Sequence, residues 1–175
     1  MRDRMGHLMR WTRAHDCLPE IEQRAVILCF HGVVGHTPDE DVECEHLPVA
    51  GFREILRVLR RSFNVIGLAE LVAAVQERRS PPPRSVAITF DDGYANNAEV
   101  AAEELARERM PWSEFLPAQL VETGGYQWID DVRLLIHRGG LSRLSLPDNA
   151  GTIDLDLSDP ARRHAAVQKI HEWCR

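Results

Sequence analysis

The sequence predicts an α/β fold built on a parallel sheet, with a β-hairpin inserted into it. Two apolar runs, Ala25-Val26-Ile27-Leu28-Cys29-Phe30 and Ser85-Val86-Ala87-Ile88-Thr89-Phe90, suit strands buried on both faces. Stretches at helical spacing follow each run, and strands that alternate with helices need crossover connections, hence parallel pairing. Leu144-Ser145-Leu146 and Ile153-Asp154-Leu155-Asp156-Leu157 alternate at period two around residues 147–151, which reads as a half-exposed antiparallel hairpin.

Taken in order, residues 1–24 show no sustained periodicity and read as an irregular leader, with the domain proper spanning 25–175. The first strand ends at His31-Gly32, and the acidic stretch from His36 to Pro48 reads as a loop. Phe52, Ile55, Leu56 and Leu59 recur on one helical face, opposite Arg53, Arg57 and Arg60. Residues 64–68 form a short strand, and Leu68, Leu71, Val72 and Val75 begin a second helix that must stop before Pro81-Pro82-Pro83. A third helix is expected from about Asn97 to Met110, with Ala98, Ala101, Ala102, Leu105 and Ala106 inward and a Glu103/Arg107 pair outward. Residues 111–117 read as a strand and Thr123-Gly124-Gly125 as a loop. Trp128, Asp130 and Asp131 suit a helix N-terminus enriched in acids. The final helix has Ser158 or Asp159 as its N-cap and Pro160 in its first turn. Its apolar stripe ends in Ile170, Trp173 and Cys174, which would need a covering surface, and no stop signal precedes Arg175.

Composition narrows the function. Acids outnumber bases 27 to 21, a formal net charge of -6, which argues against nucleic acid as a partner because phosphate neutralisation needs a basic surface. No apolar run reaches the roughly 18 residues that a membrane span needs, and no signal peptide is visible, so a cytoplasmic location is expected. Cys17, Cys29, Cys44 and Cys174 form no C-x-x-C pair and read as reduced and structural, with Cys29 buried. Cys44-Glu45-His46 offers two metal ligands, but a lone C-x-H in a polar loop is a weak signal.

The chemistry concentrates at Thr89-Phe90-Asp91-Asp92-Gly93-Tyr94. Adjacent carboxylates repel each other and lose solvation when covered, so they persist best where a cation or substrate engages them. Sites in parallel α/β folds form at the carboxyl ends of strands. Asp-Asp-Gly also suits a plain turn that caps the following helix, and from these residues alone both readings stand. A phosphotransferase of the haloacid dehalogenase type, with Asp-x-Asp, is disfavoured because adjacent aspartates on a strand point to opposite faces.

Phe30-His31-Gly32-Val33 together with Thr89 to Tyr94 resembles the polysaccharide deacetylase family, the NodB-homology or carbohydrate esterase family 4 enzymes. The resemblance runs from about Ala25 to His137, with Pro111-Trp112-Ser113-Glu114-Phe115-Leu116 where members carry Pro-Ala-Thr-Phe-Phe. It implies a partial, deformed (β/α) barrel and a metal-dependent hydrolase that removes N-acetyl groups from a polysaccharide or oligosaccharide, a non-peptide C–N bond hydrolysis. Asp91 would be the general base, Asp92 a ligand of a divalent metal, usually zinc, and His31 and Tyr94 would line the site.

The family also carries two histidines four apart and an Arg-x-Pro-Tyr segment, and neither occurs here. Leu135-Ile136-His137 matches the family's Leu-x-His motif only superficially, and His164 and His171 read as a surface pair. Catalytic zinc normally has three protein ligands. The chain is therefore expected to be the N-terminal part of such a domain, with a non-catalytic, carbohydrate-binding relative as the alternative.

Overall fold

The computed structural model describes residues 25–148 and 151–174, so the leader expected at 1–24 and residues 149–150 of the hairpin turn lie outside the described residues. The described chain divides into two compact units, one of residues 25–37 and 45–116, the other of residues 38–44 and 117–174. No described helix is long and apolar enough to cross a membrane.

In chain order the first unit runs β1 (Val26–Phe30), β2 (Gly32–Val34), β3 (His46–Pro48), α1 (Val49–Ser62), β4 (Asn64–Val65), α2 (Leu68–Gln76), β5 (Ser85–Phe90), α3 (Ala102–Glu108) and β6 (Ser113–Glu114). The expected parallel sheet is present. The whole of β1 pairs with β5, from Val26↔Val86 to Phe30↔Phe90. On the other side of β5, β4 pairs with its start and β6 with its end, also in parallel. No closed barrel forms among the described residues.

Alternation along the strands decides what each face packs. Val26, Leu28 and Phe30 of β1 and Val86, Ile88 and Phe90 of β5 face Phe52, Leu56 and Leu59 of α1 and Leu105 of α3, which form the main core. Full burial of side chains such as Phe52 and Leu56 contributes about 1.5–3 kcal/mol each. Edge-to-face contacts of Phe52 and Trp112 with Phe90, at 6.0 and 5.4 Å between ring centroids, close that layer. Ile66, Leu71 and Ala87 form a smaller cluster on the second face.

Several expectations are corrected. β5 is buried on both faces, but β1 is not: Ile27 is 53% exposed and Cys29 is exposed. β1 lies at the sheet edge, and among the described residues only the cluster around α2 covers the second face. The inner face of the third helix is Asn97, Ala101, Glu104 and Leu105, and Ala98 and Ala106 are exposed. Residues Asn97–Ala101 form a wide π-type turn ahead of α3, and the extra residue in that turn rotates the face. The strand expected over 111–117 shrinks to β6, flanked by prolines that cannot donate to the ladder. Within the stretch read as a loop, β3 pairs in parallel with β2.

The second unit contains α4 (Ala118–Thr123), α5 (Trp128–Arg138), β7 (Arg143–Asp148), β8 (Gly151–Asp156) and α6 (Pro160–Trp173). β7 and β8 form the expected antiparallel hairpin, with Leu144↔Leu155 and Leu146↔Ile153 in register. Ile136 of α5, Leu155 and Leu157, and Ala166 and Ile170 of α6 make its core. Ile170, expected to need cover, is only 6% exposed, while Trp173 remains 47% exposed. α6 starts as its residues dictate, with Asp159 accepting from the Arg162 backbone N–H at 3.0 Å and Pro160 in the first turn.

Candidate active site

The carboxyl ends of β1 and β5 lie side by side, and the residues beyond them meet. The Asp91 N–H donates to the Phe30 carbonyl at 2.9 Å, carrying the ladder one residue past β5. Asp92 and Gly93 then adopt left-handed conformations, with φ of 72° and 68°. Short polar residues and glycine tolerate that region best, so Asp-Asp-Gly does make the turn its composition suggests. The same turn brings the Asp92 Oδ2 to 3.7 Å from His31 Nε2, both side chains about one third exposed.

A third ligand joins them. His31, Glu45 and Asp92 present one nitrogen and two carboxylate oxygens that lie within 4.8 Å of one another. The register of the small β2–β3 ladder accounts for Glu45: Gly32 pairs with His46, so the residues before them, His31 and Glu45, become neighbours. In that stretch the sequence offers Cys44 and His46 as ligands, whereas the structure brings Glu45 to the site. The one available signal was its place before a histidine in an acidic loop. Strand pairing across a dozen intervening residues is invisible in a periodicity pattern.

Close packing behind the site fixes these positions. A β-carbon on Gly32 would lie 2.4 Å from His46 Cδ2 and 2.9 Å from Asn96 Oδ1, so only glycine fits there. Tyr94, expected to line the site, packs edge-on against the His46 ring at 4.6 Å. The Val33 N–H donates to Asn96 Oδ1 at 3.3 Å. Fully buried Asn97 donates from Nδ2 to the His31 carbonyl at 2.9 Å and to Glu114 Oε1 at 3.0 Å. Its Oδ1 has no hydrogen-bond partner among the described residues. Asn97 therefore anchors the backbone of His31 from the turn that follows the aspartates, a role no sequence motif announced.

Asp91 Oδ2 accepts from the Cys29 thiol of β1 at 3.1 Å. Partial desolvation of the exposed Cys29 thiol raises its pKa above the ordinary value, and the bond to the Asp91 carboxylate adds to the rise, so Cys29 stays protonated and donates. His137 belongs to the second unit, on α5, and His171 lies 6.1 Å from Trp128, ring to ring, in that same unit.

The fold that carries this Asp-Asp-Gly turn and histidine is similar to those of solved deacetylases. The chain is similar to the Streptococcus pyogenes deacetylase PplD, with 17% identity and a TM-score of 0.50 over 63% of this chain and 51% of that one. It is similar to a de-N-acetylase from Aggregatibacter actinomycetemcomitans, with 15% identity and a TM-score of 0.51 over 84% of this chain and 51% of that one. At these identities the likeness is one of fold. No protein-family profile matches the chain. A curated protein named methionyl-tRNA formyltransferase, from Clavibacter sepedonicus, is 35% identical over 96 residues, 55% of this chain and 28% of that protein. The chain thus spans about half the length of the two deacetylases and 28% of the formyltransferase.

Proposed function

We propose that the chain carries the base and metal site of an N-deacetylase, a hydrolase that cleaves the amide C–N bond of N-acetyl groups on a polysaccharide or oligosaccharide. The observation that carries this reading is the gathering of His31, Glu45 and Asp92 within 4.8 Å, with Asp91 adjacent in the chain, at the rim where parallel sheets build their sites. The four-stranded sheet is read as part of an incomplete (β/α) barrel, and the chain as the N-terminal portion of the catalytic domain.

One imidazole and two carboxylates form a donor set suited to Zn2+ or a neighbouring divalent ion, so the residues fit the metal that the fold implies. When bound, the ion would polarise the amide carbonyl and lower the pKa of water at the site toward ~7. Asp91 is assigned as the base that accepts the proton of the attacking water, and the products are acetate and a free amine on the sugar. Asn97, by holding the His31 carbonyl, keeps the imidazole directed at Asp92.

Acetate release from N-acetylated oligosaccharides, with metal content measured alongside, tests the assignment. D91N is expected to lower turnover by roughly 10²–10⁴-fold with zinc retained, whereas D92N loses the zinc ion assigned to His31, Glu45 and Asp92. Parental turnover in D91N would end the assignment of the base. A parent chain that binds the oligosaccharide and zinc without releasing acetate would instead be the carbohydrate-binding relative.

A further inference from the structure

The second unit holds another group of ligands, remote in sequence from the Asp-Asp-Gly turn. Asp41, His137 and His164 present a carboxylate oxygen and two imidazole nitrogens within 4.8 Å of one another. His137 Nδ1 lies 3.6 Å and His164 Nε2 3.4 Å from the same oxygen, Asp41 Oδ1. These separations exceed the 2.7–3.2 Å or so of a direct N–H···O bond. They match the edge of a tetrahedron around zinc, about 3.3–3.6 Å for bonds of about 2.0–2.2 Å.

The surroundings hold each ligand in a binding form. Arg138 Nη1 donates to Asp41 Oδ2 at 3.2 Å, leaving Oδ1 directed at the histidines, and Arg138 Nη2 pairs with Asp39. The Asp41 N–H donates to Asp39 Oδ1 at 3.0 Å, which fixes the turn. His164 Nδ1 lies 3.0 Å from the Pro160 carbonyl, an acceptor, so in the neutral ring Nδ1 carries the proton and Nε2 keeps its lone pair. Ligating histidines commonly donate their second nitrogen to a backbone carbonyl in this way. The His137 side chain is only 2% exposed, so its ring is held in place against the Asp41 carboxylate.

We propose that Asp41, His137 and His164 form a zinc-binding site in the second unit, separate from the one assigned to His31, Glu45 and Asp92. Three protein ligands leave the fourth position to water, and the ion fastens the 38–44 segment to α5 and α6. In sequence the two histidines stand on different helices, and Asp41 sits in an acidic stretch nearly a hundred residues before His137, so no spacing rule joins them.

The test uses the full chain carrying E45Q and D92N, which disable the other site. Zinc titration is expected to find one ion per chain, with the ring nitrogens His137 Nδ1 and His164 Nε2 showing metal-bound shifts by 15N NMR. Adding H164A should weaken binding at least about tenfold, since losing even the partner of a ligand has that effect. The His164 side chain is 53% exposed, so this change leaves the core intact, and an unchanged far-UV CD spectrum checks that. The proposal is overturned if the E45Q/D92N chain binds no zinc, or if its affinity is the same with and without H164A. Either result leaves the Asp91 and Asp92 experiments above unaffected.

Discussion

Gly32 occupies a position where the chain has no room for a side chain, because His46 and Asn96 close on its α-carbon. His46 is in turn packed edge-on against Tyr94, and Asn96 accepts from Val33, so neither neighbour moves without cost. G32A is therefore expected to destabilise the chain by about 1–3 kcal/mol through overpacking. It should also separate His31 from Glu45, because the β2–β3 register joins them. Thermal unfolding and zinc affinity measured on the same variant check both effects. At this scale the site was half legible: His31, Asp91 and Asp92 announce themselves as polar residues at the ends of apolar strands. Glu45 and Asn97 do not, since their roles depend on a ladder and a turn that bring distant residues together.

At the scale of the element, the pairing of α1 with α3 turns on a buried acid. Glu104 is 6% exposed and accepts from Arg53 at 2.8 and 2.7 Å through both carboxylate oxygens, with Arg107 on the same residue at 2.6 Å. The Arg53 hydrogen bonds hold its pKa below the usual glutamate value. A depressed carboxylate stabilises the fold above its unfolded pKa of about 4.3 and loses that contribution as pH falls through the folded value. E104Q is expected to cost about 1–3 kcal/mol at neutral pH, toward the lower end because Arg53 and Arg107 are about half exposed. Parent and variant should converge as pH falls below the unfolded value and through the lowered folded one, which urea unfolding at several pH values will show. The strands and helices themselves were readable from periodicity, and the hairpin most cleanly because alternation and turn residues agree. The face of the third helix was not, because a π-type turn changes the count of residues per turn without leaving a mark in composition.

Across the whole molecule, each unit has its own apolar cluster, one around Phe52, Ile88 and Phe90 and the other around Ile136, Leu155 and Leu157. L157A, at a fully buried position, is expected to cost about 2–5 kcal/mol. Hydrogen exchange should report that loss in the amides of α5, β8 and α6, while those of β5 stay protected; equal acceleration in β5 would show that the two clusters unfold as one. The sheet of the first unit is centred on β5, which pairs with β1, β4 and β6 and is third of the four in chain order. On the ribosome, β1 and β4 therefore emerge and wait, with backbone groups unsatisfied, until Ser85 to Phe90 have been translated. That interval is when a nascent chain of this design most needs a holding chaperone.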